Sequence, residues 1–144
     1  MTLGFRAVLT GLASVALVGA CTATAHATPS SGITAVILSQ TTIGGTDYIL
    51  REITVAPGGS TGWHFHDGTL YAYVRQGQIS HFGSDCQVDM TGGAGTTFVE
   101  RAGIGNVHIE RNLTDQPQVL DVLYLLPAGS PLSEDAPNPG CDFN

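Results

Sequence analysis

Three histidines are spaced so that they could bind one metal ion. His64 and His66 are separated by one residue, which on a β-strand places both imidazole rings on the same face, about 7 Å apart along the chain. His108 lies on a later stretch that antiparallel pairing could bring beside them. Three neutral imidazoles leave coordination positions open for water or substrate. The pattern therefore indicates a divalent metal site of the catalytic kind, the alternative being histidines that line a polar cavity.

Longer patterns around these histidines resemble the two motifs of the cupin superfamily. Residues 58–77 match G-x5-H-x-H-x3-4-E-x6-G at the outer glycines and the His-x-His pair, and residues 105–112 match the end of the second motif at His108 and Asn112. The chain is most similar to small exported single-domain cupins of bacteria. The resemblance implies an all-β, cupin-type jelly-roll barrel that holds its metal inside and is commonly dimeric. It also implies that Asn112 bonds to the backbone.

Two positions depart from those motifs. The glutamate slot of the first motif falls on Leu70, and the proline slot of the second falls on Gly103. Leucine cannot bind a metal, so the resemblance implies a ligand set of three histidines. The loss of an anionic ligand weakens binding of Mn(II) more than that of Zn(II), Cu(II) or Ni(II). The metal stays open among Zn, Fe, Cu, Ni and Mn.

Other polar residues could complete such a site. Glu110 shares strand parity with His108, so it is the candidate for a replacement carboxylate or a general base, unless it pairs with an arginine or faces water. Glu100 precedes a long loop, and we do not expect it to be a ligand. His81 has no partner at ligand spacing, so we expect it at the surface or the rim.

Arg51 has the strand parity of Ile49 and Ile53. It either pairs with a buried carboxylate or holds an anionic substrate. Tyr71 and Tyr73 have the opposite parity from Leu70, so we expect them on the outer face or in a dimer interface.

Composition excludes several function classes. The chain has 144 residues, the size of one domain, and its hydrophobic share of 42% can build a core. The formal net charge is −7, and the five basic residues are isolated arginines. No basic face is available, so a nucleic-acid partner is not expected.

Residues 1–27 are predicted to be a signal peptide. Arg6 precedes an apolar run over 7–20 that is short for a membrane span of about 20 residues, and Ala25-His26-Ala27 forms an A-x-A cleavage site. Residues 18–21 also resemble a lipobox, in which Cys21 would be lipidated and anchored to a membrane. We therefore predict a secreted protein, with a lipoprotein as the alternative and membrane contact only in that case.

The export prediction bears on the remaining cysteines. Cys86 and Cys141 form an even pair, which in an exported chain favours a disulfide over two unpaired thiols. Such a bond would pin the Pro-rich tail, residues 127–144, to the barrel domain, residues 28–126.

The barrel domain shows short strands separated by Gly/Pro turns, with no helical period. We predict a turn at Ala56–Gly59 and a hairpin at Asp67–Gly68. The strands are predicted over 33–39, 48–55, 62–67, 70–75, 78–82, 96–100, 107–111 and 119–126.

The sequence supports three functions. The first is an exported cupin that binds one divalent metal and acts on a small molecule, as a dioxygenase- or isomerase-like enzyme if it is an enzyme at all. The second is a non-catalytic cupin that binds or senses a small ligand, for which Leu70 is the best argument. The third is a disulfide-stabilised structural protein.

Overall fold

The part of the chain that the structure describes forms ten β-strands. The structure is a computed structural model that describes residues 27–144. Cys21 and all of the predicted signal peptide except Ala27 lie outside the described residues. In this part of the chain no helix is long and apolar enough to cross a membrane. The strands are β1 (Ser31–Ile43), β2 (Thr46–Ser60), β3 (His64–Phe65), β4 (Thr69–Gln76), β5 (Gln78–Gly83), β6 (Val88–Gly93), β7 (Thr97–Glu100), β8 (His108–Arg111), β9 (Gln118–Pro127) and β10 (Glu134–Asp135).

The strands form two antiparallel layers. The first layer has the order β1-β2-β9-β4-β7, and the second has the order β6-β5-β8-β3-β10. Strand β2 joins them, because its first part pairs with β9 while Ser60 at its far end pairs with Arg111 of β8. This curled sheet is the jelly-roll fold that the sequence predicts.

The inner face of the first layer is the main apolar core. Burial alternates along β4, so that Leu70 and Val74 point inward, whereas Tyr71 and Tyr73 are exposed on the outer face as predicted. The buried members of this core are Ile49, Leu70, Ala72, Val74, Ile79, Leu120, Val122, Tyr124 and Leu126. The first layer therefore contributes mainly apolar side chains to the barrel interior, whereas the second layer contributes polar ones.

The second layer is covered on both faces. His108 and Glu110 alternate with Ile109, which packs on the opposite face with Trp63 and Phe82. The tail covers this opposite face through Ala136, Cys141 and Phe143. The sulfur atoms of Cys86 and Cys141 lie 2.09 Å apart, a disulfide-bond distance. The tail therefore completes a second core outside the barrel.

The beginning of the described chain is held against the second layer. The backbone N–H of Trp63 donates to the hydroxyl oxygen of Thr28 at 2.7 Å, and Ala27 forms an antiparallel bridge with Pro137. The segment therefore reaches the backbone next to His64.

The two predicted turns have different outcomes. The predicted turn at Ala56–Gly59 falls inside β2 as an irregularity, because pairing with β1 passes from Val55 opposite Ile33 directly to Ser60 opposite Ser31, and Gly58 has φ 73°. The predicted hairpin at Asp67–Gly68 is a crossover, because β3 pairs with β8 and β10 while β4 pairs with β7 and β9. Local turn residues do not show which strands pair.

Candidate metal centre

The structure brings His64, His66 and His108 together inside the barrel. His64 of β3 lies directly opposite His108 of β8. The ring centroids are 4.3 Å apart for His64 and His108, 4.8 Å for His64 and His66, and 5.3 Å for His66 and His108. Each ring offers a nitrogen within 4.8 Å of those of the others. This group could hold one metal ion.

Each of the three rings is oriented by a backbone carbonyl on its Nδ1 side. A carbonyl oxygen only accepts hydrogen bonds, so Nδ1 carries the proton and Nε2 keeps its lone pair for a metal. The Nε2 atoms of His66 and His108 are buried without a hydrogen-bond partner. The Nδ1-to-oxygen distances are 2.9 Å from His64 to Gly62, 2.7 Å from His66 to Leu132 and 2.8 Å from His108 to Asn106.

A carboxylate lies beside these rings, and it belongs to Glu100. One Glu100 oxygen is 3.0 Å from His66 Nε2 and 3.5 Å from His108 Nε2. We did not expect Glu100 to be a ligand, but the structure places its carboxylate within reach of two of the predicted metal ligands. Leu70, at the motif's glutamate slot, lies in the core directly opposite Glu100 on the neighbouring strand. Directly opposite residues of paired strands share a face, so Glu100 supplies the carboxylate that Leu70 lacks.

His81 also belongs to this cluster. We predicted it at the surface or rim, but only 8% of it is exposed, and its ring stacks on that of His108 at 4.7 Å. Its Nδ1 is 2.5 Å from a carboxylate oxygen of Asp89, and its Nε2 is 3.8 Å from Glu100. His81, Glu100 and His108 form a second group that could hold a metal. A carboxylate that holds a ligating histidine is typical of metal sites.

Glu110 is buried on the same face of β8 as His108, as its strand parity predicts. Its carboxyl group is buried and contacts the side-chain amide of Gln118. Burial, together with the nearby charge of Glu100, raises the pKa of Glu110 to about 8. Glu110 lines neither cavity described below. The carboxylate in contact with the histidines is Glu100, not Glu110.

Burial and the contacts among the side chains together set the charge of the cluster. Burial, with the neighbouring His108 and His66, lowers the pKa of His64 to about 3, so His64 is neutral, the form that binds metals. Burial opposes ionisation of Glu100 and of His108, but their contact outweighs it. The pKa of Glu100 is lowered well below its usual value, and that of His108 is raised.

Two cavities reach the cluster. The larger has a volume of about 560 Å³ and borders His81, Glu100 and His108, together with Asp85, Asp89 and Arg101. The smaller has a volume of about 220 Å³ and borders His64, His66, Arg51, Tyr124 and Asp135. The imidazole cluster therefore lies between the two cavities.

Other predicted residues have clear roles. Asn112 is fully buried, and its side-chain amide donates to the carbonyls of Val55 and Gln116 at 3.0 and 2.8 Å. This is the backbone role that the resemblance implies, and it fixes the chain that follows β8. No sequence pattern singled out Leu132, whose carbonyl orients His66 from the tail.

Comparison with known proteins identifies the fold through structure rather than sequence. No protein-family model and no curated protein matches the sequence. The polyketide cyclase RemF from Streptomyces resistomycificus is similar in structure, with a TM-score of 0.62 and 23% identity over 78% of this chain and 79% of its own.

Two further solved structures extend the comparison. A cupin domain from Bordetella pertussis matches with a TM-score of 0.55 and 19% identity over 68% of this chain and 95% of its own. An oxalate oxidase, in complex with the substrate analogue glycolate, matches with a TM-score of 0.56 and 20% identity over 69% of this chain and 53% of its own. The chain therefore has the cupin fold, as its motifs predict.

Proposed function

We propose that the protein binds one divalent transition metal through His64, His66 and His108 and presents it to a small-molecule ligand. Glu100 and His81 complete the set of donors. The observation that carries the proposal is the arrangement of the imidazole nitrogens. Every Nδ1 has an acceptor, whereas the buried Nε2 atoms of His66 and His108 face the Glu100 carboxylate, which has no proton to donate to them. Buried acceptors without a donor cost free energy, and a bound cation would remove that cost.

The donor set fits a transition metal rather than magnesium or calcium. Imidazole nitrogens suit Zn, Cu, Ni and Fe, and one carboxylate also admits Mn. A bound divalent ion would act as a Lewis acid on a ligand oxygen. Backbone carbonyls orient the imidazole donors through their Nδ1 atoms. The surrounding residues keep the centre out of bulk water, since His66 and His108 are 3% and 4% exposed.

The larger cavity is the proposed place for a substrate. Its volume of about 560 Å³ lies in the range of small-molecule sites, about 300–1,000 Å³. Two structural neighbours are enzymes by name, a polyketide cyclase and an oxalate oxidase. Both names denote reactions of small molecules, which supports an enzyme over a structural protein.

The main argument for a non-catalytic cupin loses force in the structure. That argument was the leucine at the glutamate slot, which removes an anionic ligand. Because Glu100 reaches the same face from the neighbouring strand, the site keeps its carboxylate. A degenerate site is therefore the weaker hypothesis.

Metal analysis of the purified protein tests the proposal. We expect about one transition-metal ion per chain and loss of that metal in the His64→Ala/His66→Ala double variant. Asp115→Asn, at an exposed position that borders neither cavity, is the matched control and should keep its metal. Metal-free protein that also fails to take up Zn(II), Mn(II) or Fe(II) on dialysis would contradict the proposal.

We also propose that the protein is exported, with residues 1–27 removed. The Cys86–Cys141 pair supports this, because disulfides persist in oxidising compartments. Mass spectrometry of the secreted protein should find Thr28 as its first residue. An acylated Cys21 would instead show the lipoprotein, and an intact Met1 in cells that export other proteins would contradict both.

A further inference from the structure

Arg51 and Tyr124 border the smaller cavity on the side of His64 and His66. We infer that this cavity is an anion subsite, where the Arg51 guanidinium and the Tyr124 hydroxyl bind the carboxylate of a small organic acid. The inference deepens the proposed function and rests on it for the nearby metal. The contacts that carry it belong to Arg51 and Tyr124 themselves.

The positive charge of Arg51 has no acidic partner within residues 27–144. None of the ion pairs in this part of the chain includes it. Its Nη1 donates to the Tyr124 hydroxyl at 3.3 Å, and its Cζ lies 5.6 Å from that ring's centroid. Its Nε is buried without a hydrogen-bond partner. A buried cationic donor left unpaired is costly, so an anionic acceptor in the cavity is favoured.

Tyr124 supplies a second donor. Because Arg51 donates to its oxygen, the phenol's own proton is free to be donated elsewhere. The Tyr124 ring also meets the ring of His66 edge to face, with centroids 5.9 Å apart. Arg51, Tyr124 and His66 thus form one continuous wall.

The dimensions of the cavity limit the ligand. Its volume of about 220 Å³ is below the range of about 300–1,000 Å³ that drug-sized ligands need. Asp135, an exposed carboxylate, is the one acidic residue among those bordering it and opposes the charge of an anion. A compact monocarboxylate satisfies both limits, since it carries a single negative charge and few atoms.

Calorimetric titration with acetate tests the subsite, with acetamide as its neutral isostere. We expect one acetate per chain with a dissociation constant in about the millimolar range, and no detectable acetamide binding. Arg51→Gln should weaken acetate binding at least about tenfold, because a hydrogen bond to a charged group contributes about 1.5–3 kcal/mol. Tyr124→Phe should weaken it less and also tests the subsite if Arg51→Gln fails to fold.

Arg75→Gln is the matched control. Arg75 is an exposed arginine whose charge is already paired with the carboxylate of Glu52. Acetate affinity should not change in this variant. Asp135→Asn should strengthen acetate binding a few-fold, since it removes the opposing charge.

The titrations are made on both chelator-treated and zinc-loaded protein, with zinc content measured in each sample. Acetate binding that depends on Arg51 supports the subsite, whether or not zinc is bound. Protein that holds zinc but binds acetate equally well after Arg51→Gln overturns the subsite and leaves the metal proposal standing. Protein that takes up no zinc but shows Arg51-dependent acetate binding contradicts the metal proposal alone.

Discussion

The two cavities beside the histidine cluster differ in charge. The larger one is bordered by more acidic than basic residues, whereas the smaller one contains the unpaired cation of Arg51. We expect the charge of a ligand to decide the side from which it reaches the metal ligands. The charged residues are Asp85, Asp89, Glu100 and Arg101 on the larger side, and Arg51 and Asp135 on the smaller side.

The two sides also differ in how the fold supports them. The wall of the larger cavity includes Asp85, which precedes Cys86 and so depends on the tail. The wall of the smaller cavity includes Arg51 and Tyr124, which lie on the adjacent strands β2 and β9. Strand pairing therefore fixes the wall of the smaller cavity, and the disulfide fixes part of the wall of the larger cavity.

Removing the disulfide should have the largest effect, and we expect that effect mainly around the larger cavity. In the chain-entropy model a bond across a separation of 55 residues stabilises the fold by about 4 kcal/mol. We therefore expect Cys86→Ser/Cys141→Ser to lower the free energy of unfolding by up to that amount, measured by urea denaturation. Acetate binding by the folded variant should be preserved. A loss below about 1 kcal/mol would show that the bond does not constrain the unfolded chain.

Removing the histidine shared by both candidate triads should abolish the metal site. His108 belongs to each group, whereas His81 belongs to one. We expect His108→Ala to weaken zinc binding by more than about 100-fold. Loss of a residue that only orients a metal ligand weakens binding by about 10- to 100-fold, and loss of a ligand should exceed that range. His81→Ala should keep zinc on the other triad. Competition with a chromogenic chelator measures both, and equal losses in the two variants would argue against two overlapping triads.

Neutralising Glu100 should change which metal is preferred. Glu100→Gln keeps the side-chain shape but removes the anionic oxygen, which hard ions need more than soft ones. We expect Mn(II) affinity to fall by about tenfold or more and Zn(II) affinity to fall less. Titrations with the two ions give the ratio, with Glu52→Gln as the exposed control. An unchanged ratio would mean that Glu100 does not bind the metal.

Replacing the partner of His81 should have the smallest effect. Asp89 is half exposed, and its carboxylate lies 2.5 Å from Nδ1 of His81. Asp89→Asn retains an acceptor, so we expect zinc affinity to fall by no more than about tenfold, the lower end for such partners. A larger loss than that caused by His81→Ala would mean that Asp89 acts on the centre by another route.

Sequence reasoning was sufficient where the contact is local or follows a known motif. His64 and His66 are next-but-one neighbours, and the spacing around them predicts both the fold and their convergence with His108. Alternation along single strands also placed Tyr71 and Tyr73 outside. These inferences need only the two-residue period of a strand.

The residues that the sequence did not reveal enter through strand pairing. Glu100 reaches the site because pairing of β4 with β7 places it opposite Leu70. His81 reaches the site because pairing of β5 with β8 places Gly83, two residues further along the same strand face, opposite His108. Register between distant strands depends on packing of the whole sheet. Arg51 was predicted to share a face with Ile49, but the absence of a carboxylate partner in the described chain required the tertiary structure.

The hydrogen bond from Trp63 to Thr28 has a consequence for maturation of the protein. A peptidase cut after Ala27 would make Thr28 the first residue, with its hydroxyl already committed to the backbone that leads into His64. Trimming one residue further would take this acceptor away, and a Trp63 N–H with no acceptor destabilises the fold. The accuracy of signal-peptide cleavage would then affect how stably the strand that carries His64 is held in the fold.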